Sequence, residues 1–359
     1  MRVNNQHFRS IWYTEDSDQV HIIDQTCLPY KFKTLVLETL EDAARAIQTM
    51  EVRGAPLIGA TAAFGVYLAM KSDGSDASLT ATIETLIQTR PTAINLKWAL
   101  DRVHSALLNT DVSQRMEKSL SLALEITDED VEINRKIGVN FADIIQQTAL
   151  NNPGRPINLL THCNAGWLAT VDWGTALSGI FQAHDAGIDL HVYVDETRPR
   201  NQGALSAWEL ASHGVKHTVV VDNAGGFLMQ QGLVDLVIVG TDRTSANGDV
   251  CNKIGTYLKA LAAQANNIPF YVALPSPTID WTRSSGHDIP IEQRAEDEIR
   301  SIQGLSHGTL QTVEVYPVST PVSNPAFDVT PAALVTGLVT ERGICKAHEL
   351  ASLFPEMGV

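Results

Sequence analysis

The feature that most constrains the fold is an alternation of short β-branched runs with helical patterns after residue 156. The runs are INLLT, HVYVD, HTVVVD, LVIVGTD and PFYVALP. Helical patterns lie between or after them, at 167–186, 204–213, 226–231 and 252–265. Strands that alternate with helices form right-handed crossovers, which place helices on both faces of a parallel sheet. This part of the chain is therefore predicted to form a doubly wound parallel sheet.

The earlier part of the chain shows helical spacing instead of strand runs. After a short extended start, apolar residues recur at helical intervals over 39–70, 79–108 and 113–150. The stretch 71–76 is interpreted as a loop, and the charged stretch 128–132 as a solvated helix face. A length of 359 residues has room for two domains. We predict an α/β protein with a mainly helical N-terminal domain, 1–125, and a Rossmann-like catalytic domain, 126–359.

The balance of charges argues against two classes of partner. The formal net charge is -15 at pH 7, which makes a broad basic face for nucleic acid or an anionic membrane hard to build. A few clustered cations are still enough to bind one phosphate group. The N-terminus has no apolar run of signal-peptide length, and no uncharged apolar stretch approaches the ~20 residues that span a bilayer. We expect a cytoplasmic protein that binds neither nucleic acid nor membrane.

The spacing of cysteines, histidines and glycines argues against a metal or a dinucleotide. The four cysteines form no C-x-x-C pair, so reduced thiols are expected at Cys27, Cys163, Cys251 and Cys345. The histidines are scattered, and no H-E-x-x-H motif or paired-carboxylate loop occurs. The first clear strand-to-helix turn reads THCNAG, not G-x-G-x-x-G, which disfavours a hydride-transfer enzyme. We expect no metal and no cofactor.

Polar residues follow the predicted strands where a parallel sheet binds its ligands. Such sheets place their sites outside the carboxyl ends of the strands. The segments at those positions are THCN at 161–164, DETR at 195–198, DN at 222–223 and TDR at 241–243. These residues are predicted to converge on one rim of the sheet.

Cys163 is one candidate for acid–base chemistry on this rim. It precedes a helix predicted to begin near Trp167, and the positive end of a helix favours the reactive thiolate. A small residue packed at a tight turn is an equally good interpretation, and Gly166 eases the turn in either case. His162, taken alone, is interpreted as structural.

Asp242 is the second candidate, in the segment GTDRTSANGDVCNKIGTY. An aspartate at a strand end often does no more than cap a loop. Here Asn252 and Lys253 follow closely and are predicted to open a helix that binds an anion. The combination favours a site.

Two further segments carry candidate binding residues. Arg53, Gly54 and Ala55 precede an apolar helical run, with Pro56 predicted at its first position. A guanidinium beside a helix start suits a phosphate, although this pattern alone favours an ordinary loop. In DETRPRNQGA, internal ion pairs explain the acids and arginines, whereas Gln202 at a helix entrance is placed to contact a hydroxyl or phosphate oxygen.

Taken together, six motifs resemble the methylthioribose-1-phosphate isomerase family. They are RGAPLIGA at 53, THCNAG at 161, DETRPRNQGA at 195, DNAGG at 222, GTDRTSANGDVCNKIGTY at 240 and NPAFDVTP at 324. Their order and spacing cover nearly the whole chain. The resemblance implies a helical N-terminal domain, a Rossmann-like C-terminal domain and a homodimer. Related translation initiation factor two-B regulatory subunits share that architecture.

Carried over residue by residue, the resemblance implies roles for nine positions. Cys163 and Asp242 become catalytic, and the substrate-binding residues become Arg53, Gly54, Ala55, Arg90, Gln202, Asn252 and Lys253. Arg90 enters only by this route, since an arginine before Pro91 is otherwise expected to be exposed. Ala165 and Trp167 depart from the family pattern THCNTGAL, which puts the substrate preference in question.

The resemblance implies an aldose–ketose isomerase that converts 5-methylthioribose 1-phosphate to 5-methylthioribulose 1-phosphate in methionine salvage, without cofactor or metal. Phosphate on C1 blocks ordinary ring opening to an aldehyde. The enzyme must therefore open the ring and move hydrogen from C2 to C1, which requires an acid and a base. One assignment makes neutral Asp242 the proton donor and the Cys163 thiolate the group that handles hydrogen at the sugar carbons. Reversed or shared roles stay open.

Three alternatives share this fold. Two are isomerases of 5-deoxyribose 1-phosphate or of ribose 1,5-bisphosphate, and the third is a non-catalytic subunit that senses a sugar phosphate or nucleotide. A methyl or methylthio group requires an apolar pocket, whereas a second phosphate requires additional cations. The sequence presents no second set of cations, and the presence of both Cys163 and Asp242 disfavours a sensing role.

Overall fold

A computed structural model describes residues 1–3 and 6–357 of the chain. The N-terminal strands are β1 (Arg2–Val3), β2 (Gln6–His7), β3 (Ile11–Thr14), β4 (Gln19–Ile23) and β5 (Thr34–Leu37). Strands β3, β4 and β5 form an antiparallel sheet. The helices that follow are α1 (Leu40–Gln48), α2 (Ala55–Ser72), α3 (Asp76–Thr89), α4 (Ile94–Leu108) and α5 (Arg115–Asn151). Helices dominate this part of the chain, as predicted.

Helix α2 is the central element of the helical part. Residues 57–70 are all buried, which explains why its sequence is apolar on every face. The pattern predicted over 39–70 is divided into α1 and α2, because Gly54 adopts a φ of +96° before α2. A Cβ at Gly54 would lie 2.3 Å from the Ala169 carbonyl oxygen, so only glycine fits this close approach. Pro56 is consequently the second residue of α2, not the first as predicted.

The C-terminal part alternates strands with helices. Its strands are β6 (Ile157–Thr161), β7 (Leu190–Asp195), β8 (His217–Val220), β9 (Leu236–Val239), β10 (Arg243–Ser245), β11 (Val250–Lys253), β12 (Phe270–Ala273), β13 (Ile279–Asp280), β14 (Ser301–Ser306), β15 (Thr309–Glu314), β16 (Phe327–Thr330), β17 (Gly337–Thr340) and β18 (Gly343–Cys345). Its helices are α6 (Ala176–Asp185), α7 (Gln202–His213), α8 (Ala224–Gln230), α9 (Thr256–Ala265), α10 (Asp297–Arg300) and α11 (Leu350–Leu353).

Seven of these strands form the main sheet in the order β18-β17-β12-β9-β6-β7-β8. All neighbouring pairs are parallel except β17 with β18. The predicted doubly wound parallel sheet is therefore confirmed. The chain adds β7 and β8 on one side of β6, and then β9, β12 and β17 on the other. The strand order reverses between β6 and β9, which is where such sheets bind ligands.

A second, four-stranded sheet in the order β13-β10-β11-β16 lies beyond the carboxyl end of β9. It corrects one prediction about helices. The helix predicted over 252–265 begins only at Thr256, because Asn252 and Lys253 pair with β16 and end strand β11. The helix predicted from Trp167 is also wrong at its start: a three-residue 3-10 turn stands there, and α6 begins only at Ala176, because Trp173 and Gly174 adopt positive φ values that interrupt a helix.

Helix α5 extends across the predicted domain boundary at 125/126. Ile126 packs into the core around α2, whereas Ile137 packs into the core beneath the main sheet. The boundary itself stays a prediction. None of the helices among the described residues is long and apolar enough to cross a membrane.

Candidate active site

One pocket at the carboxyl ends of β6 and β9 brings all the predicted site residues together. The catalytic candidates Cys163 and Asp242 line it, since they follow the two strands that flank the reversal in strand order. The predicted substrate-binding residues line the same pocket: Arg53, Gly54, Ala55, Arg90, Gln202, Asn252 and Lys253. The structure thus gives these residues a common location, and their individual roles stay predictions.

Cys163 is held in a turn of unusual backbone conformation. Its φ is +67°, a value that costs a residue with a side chain ~1–3 kcal/mol and persists where neighbours enforce it. The Cys163 N–H donates to Thr197 Oγ1 at 2.8 Å, and its carbonyl accepts from Ser206 Oγ at 2.8 Å. The turn therefore depends on contacts with the segment after β7 and with α7. Such conformations cluster at active sites.

The electrostatic setting of Cys163 contradicts the predicted basis for a thiolate. Because a 3-10 turn follows it, the expected α-helix end that would stabilise a thiolate is not there. Burial raises the pKa of the Cys163 thiol, while the positive charges of Arg53 and Lys253 oppose that effect. This balance favours the neutral thiol.

Asp242 is positioned by the hairpin of the second sheet. Its backbone N–H donates to the Cys251 carbonyl at 3.0 Å, just before Arg243 begins β10. Thr241 Oγ1 donates to the Arg243 and Cys251 carbonyls at 2.9 and 3.0 Å, which fixes the turn. The half-buried carboxylate of Asp242 lies in the pocket lining. A strand end supported by a second sheet explains why an aspartate here is held firmly.

Arg53 belongs to a chain of side-chain hydrogen bonds that the sequence did not reveal. Its guanidinium donates to Asn164 Oδ1 at 2.5 Å and to the Asn164 carbonyl at 3.1 Å. Asn164 Nδ2 donates in turn to Ser206 Oγ at 3.1 Å and to Glu209 Oε1 at 2.8 Å. Burial raises the pKa of Glu209 to about 7. These hydrogen bonds fix the orientation of the Arg53 guanidinium, which is then prepared to bind an anion.

Glu209 also explains the glycine of the THCNAG motif. Its carboxylate accepts hydrogen bonds from the Trp167 N–H at 2.8 Å and the Leu168 N–H at 3.3 Å. A Cβ on Gly166 would lie 1.9 Å from Glu209 Oε2, so a side chain there would displace the acid. The only signal for Glu209 in the sequence is an acidic residue on an otherwise apolar helix face in α7. That signal is too common to identify a site.

The other wall of the pocket contains Lys253 and Asn252, both buried at the end of β11. Lys253 Nζ donates to the Ala326 carbonyl at 2.9 Å and lies 4.8 Å from the centre of the Phe327 ring. Burial lowers the pKa of Lys253 to about 8. Asn252 Nδ2 donates to Thr256 Oγ1 at 2.9 Å. This wall supplies a cation whose charge changes near neutral pH.

Gln202 opens α7, as predicted, and its side chain is buried. Its Oε1 atom has no hydrogen-bond partner among the described residues. A buried amide oxygen without a donor costs about 1–3 kcal/mol unless a ligand or water supplies one. Because Gln202 lines the pocket, a ligand hydroxyl would satisfy it.

Two further arginines line the pocket, and they overturn the expectation that no second set of cations exists. Arg243, predicted on the rim but given no role, pairs with Asp280 at 3.3 Å, and Arg294 pairs with Glu292 at 3.2 Å. Arg90, expected to be exposed, is only 13% exposed and lies 3.5 Å from the same Glu292. Arg243 begins β10, whereas Arg294 lies in a segment that the sequence pattern left unassigned. Each already has an acidic partner.

One cluster of potential metal ligands occurs among the described residues, formed by His162, Asp195 and Asp222. Lys259 Nζ lies 3.1 Å from Asp195 Oδ2 and also donates to the Asp222 carbonyl. A lysine ammonium therefore already occupies the cationic position beside Asp195. His162, one member of this cluster, directly precedes Cys163 in the chain.

Comparisons with known proteins match the whole chain. Residues 51–347 match the model of the "Initiation factor 2 subunit family". The "Methylthioribose-1-phosphate isomerase" of Brucella anthropi is 58% identical, over 99% of this chain and 100% of the relative. The chain belongs to this isomerase family.

Solved structures extend the similarity to the backbone. A crystal structure of 5-methylthioribose 1-phosphate isomerase from Pyrococcus horikoshii OT3 has a TM-score of 0.84 and 39% identity, covering 98% of this chain and 97% of that one. The translation initiation factor eIF-2B subunit delta from A. fulgidus has a TM-score of 0.80 and 38% identity, covering 97% of this chain and 100% of that one. The resemblance drawn from the motifs is thereby confirmed.

Proposed function

We propose that this chain isomerises 5-methylthioribose 1-phosphate to 5-methylthioribulose 1-phosphate, a step of methionine salvage, with Cys163 and Asp242 as the proton-transfer pair. The observation that carries the proposal is their position after β6 and β9, in one pocket with buried cations and the unpartnered Gln202 oxygen. The family of the chain supports the choice of substrate.

The substrate phosphate binds between Arg53 and Lys253. These two cations have no carboxylate within ion-pair distance among the described residues, whereas Arg243 and Arg294 each have one. The start of α2 at Ala55 adds backbone N–H groups of the first helical turn, which suit a phosphate. Gly54 lets the start of α2 lie close to Ala169, because a Cβ at position 54 would clash with that residue. Gln202 and Asn252 then contact sugar oxygens.

The reaction requires two proton movements around C1 and C2. An acid protonates the ring oxygen as the bond between C1 and that oxygen breaks, and a base removes the proton from C2, which leaves an enol with phosphate on C1. The base then returns a proton to C1, and the hydroxyl on C2 returns its proton to the first group. The C2 oxygen becomes the ketone, and every proton is accounted for.

Cys163 suits the acid and Asp242 the base. Burial raises the pKa of the Cys163 thiol, and the charge of Asp242 adds to this effect. The charges of Arg53 and Lys253 and a hydrogen bond from the Asn164 backbone oppose it. A bound phosphate dianion screens both cations, so substrate reinforces the neutral thiol. The half-buried carboxylate of Asp242 is then the group that exchanges the proton between C2 and C1. This assignment reverses the one favoured by a helix-stabilised thiolate.

The C5 substituent faces an apolar part of the pocket. Apolar lining residues are Met50, Ile58, Ala93, Pro275, Ile289, Pro290 and Phe327. A methylthio group gains from such a lining, whereas a second phosphate requires free cations. Arg243 and Arg294 remain engaged with Asp280 and Glu292. The methylthio sugar therefore ranks above ribose 1,5-bisphosphate.

A homodimer and a cytoplasmic location complete the proposal. Exposed apolar side chains occur on or just after edge strand β8 and on helices α8 and α9, which pack against each other: Val219, Val221, Phe227, Leu258 and Leu261. We infer that they form part of the interface between the two subunits. The combined variant Phe227→Asp with Leu258→Asp is expected to sediment as a monomer, whereas the unsubstituted chain sediments as a dimer.

The experiment that tests the reaction uses a panel of C5-modified ribose 1-phosphates in deuterated water. The expected result is ketose from the methylthio sugar first, with solvent deuterium at C1. Solvent deuterium at C1 would establish proton transfer, because a direct hydride shift delivers only the hydrogen of C2. Turnover without deuterium would mean that this hydrogen reaches C1 without exchange, by a hydride shift or by a carboxyl that returns the same proton. No ketose from any sugar would favour the alternative that the chain only senses a sugar phosphate.

A further inference from the structure

We propose that His162 is a positioning residue that holds the Asn252–Lys253 end of β11 against the Cys163 turn. This inference rests on the proposed function, because its consequence is measured at the phosphate site. The sequence alone favoured an ordinary structural histidine. What distinguishes His162 is that its two ring nitrogens contact two different segments, Asp195 at the end of β7 and Ile254 after β11.

Both ring nitrogens of His162 face hydrogen-bond acceptors. Nε2 lies 2.8 Å from the Ile254 carbonyl oxygen, and Nδ1 lies 2.9 Å from Asp195 Oδ2. A carbonyl oxygen can only accept a hydrogen bond, so Nε2 carries a proton and donates to Ile254. The side chain is 1% exposed, so water does not replace either partner.

Charged side chains surround the Nδ1 edge of the ring. Asp195 is fully buried and is shared between His162 and Lys259, whose Nζ lies 3.1 Å from Oδ2. A second carboxylate oxygen, Asp222 Oδ1, lies 4.0 Å from His162 Nδ1. Lys259 thus fixes Asp195, and Asp195 fixes this edge of the ring.

The contact with Ile254 has a direct consequence for the phosphate site, because Ile254 follows Lys253 in the chain. The next residue, Gly255, has a φ of +105°, and a Cβ there would lie 3.0 Å from His162 Nε2. The ring thus packs directly against the backbone between β11 and α9. Asp328 Oδ2 holds the same loop from the other side by accepting from the Gly255 N–H at 2.7 Å. Without the His162 donor, the Ile254 carbonyl loses its partner, while the N–H groups of Ile254 and Gly255 keep theirs on Ala326 and Asp328.

Two substitutions separate the two contacts of the ring. In His162→Gln, the amide nitrogen reaches the position of Nε2 and continues to donate to Ile254. In His162→Asn, the shorter amide reaches the position of Nδ1 and leaves the Ile254 carbonyl without its donor. The matched control is His213→Gln, because His213 also pairs with a carboxylate, Asp185, at 2.8 Å but lies outside the pocket.

The expected result is a split between KM and kcat. His162→Asn raises KM for the methylthio sugar and the Kd for inorganic phosphate by ~10-fold, because Lys253 loses its fixed position, with kcat lowered less. His162→Gln and His213→Gln keep KM and Kd within ~3-fold of the unsubstituted protein. A purely structural role predicts that both His162 variants lose melting temperature and activity alike, without this split, and that result would overturn the proposal.

The donor to Ile254 is tested separately, by nitrogen NMR of protein labelled at histidine, with the His162 signals identified by their loss in His162→Gln. Nε2 is expected to carry a proton. An unprotonated Nε2 would overturn the contact with Ile254 and with it the proposal. If the unsubstituted protein binds phosphate but forms no ketose, the proposed function fails, while the Kd comparison still decides the role of His162.

Discussion

The two walls of the pocket each present a cation, but they hold it in different ways. The Arg53 wall (Arg53, Asn164, Ser206 and Glu209) is a chain of side-chain hydrogen bonds that ends at a buried acid. The Lys253 wall (His162, Asn252, Lys253 and Ile254) is fixed through backbone carbonyls of Ile254 and Ala326. The position of Arg53 therefore depends on which side chains surround it, whereas the position of Lys253 depends on the path of the backbone.

This difference gives the cations different chemistry. A guanidinium stays protonated at any physiological pH, and the two bonds to Asn164 fix its plane for bidentate binding. A buried lysine is a point charge that titrates, and here its pKa is about 8. The Arg53 wall thus provides a positive charge of fixed orientation, and the Lys253 wall provides a positive charge that depends on pH. Cys163 and Asp242 lie where the two walls meet.

The largest effect is expected when one of the two proposed proton-transfer groups between the walls, Cys163 or Asp242, is removed. Cys163→Ala and Asp242→Asn are each expected to lower kcat by ~10³-fold or more, because each removes a proton-transfer group. Steady-state rates of ketose formation measure this. Cys345→Ala and Asp235→Asn are the controls, since Cys345 is a buried thiol in another core and Asp235 pairs with Arg155. Near-normal kcat in both pocket variants would mean that other groups move the protons.

The second prediction breaks the Arg53 wall. Arg53→Met is expected to raise KM by ~100-fold, because a charge-assisted bidentate contact is lost. Arg53→Lys is expected to recover only part of this, since an ammonium cannot reproduce the fork that Asn164 orients. The control is Arg155→Met, which removes an exposed ion pair with Asp235. If Arg53→Lys restored KM fully, positive charge alone would explain the contribution of Arg53 to binding. The hydrogen bonds that orient its guanidinium would then have no role in binding.

The third prediction sharpens the comparison through pH. Below a pKa of about 8 Lys253 is a cation, so its contribution to phosphate binding is present below pH 8 and is lost as the pH rises through that value. The logarithm of kcat/KM is expected to fall above pH 8. In Lys253→Arg this decline should disappear, because a guanidinium stays charged. An unchanged decline in that variant would assign it to another group, with Cys163 the first alternative.

The sequence predicted the main sheet and the location of the pocket well, because both follow from strong local patterns. Buried β-branched runs identify strands, and polar residues just after them must meet at the carboxyl ends of a parallel sheet. The positions of Cys163 and Asp242 therefore followed from strand order. The family resemblance added Arg90, whose local sequence indicated an exposed residue.

The supporting contacts could not be predicted, because they depend on tertiary structure. Asn252 and Lys253 looked like a helix start, yet pairing with β16 made them a strand end. Glu209 is far from Asn164 and Gly166 in the chain, and only the packing of α7 reveals that it holds both the Asn164 side chain and the turn after Gly166. Local patterns predict where strands end. They do not predict which distant segment contacts a given side chain.

The smallest expected effect concerns Arg294, which shares Glu292 with Arg90. Its Nε bonds to Glu292 at 3.2 Å, and its guanidinium lies 5.6 Å from the centre of the Phe327 ring that also faces Lys253. Because Glu292 neutralises it, Arg294→Met is expected to lower kcat/KM by only ~3-fold. Arg300→Met, which removes an ion pair with Glu296, is the control. A loss as large as that of Arg53→Met would place the phosphate near Arg294, and it would raise ribose 1,5-bisphosphate above the methylthio sugar as substrate.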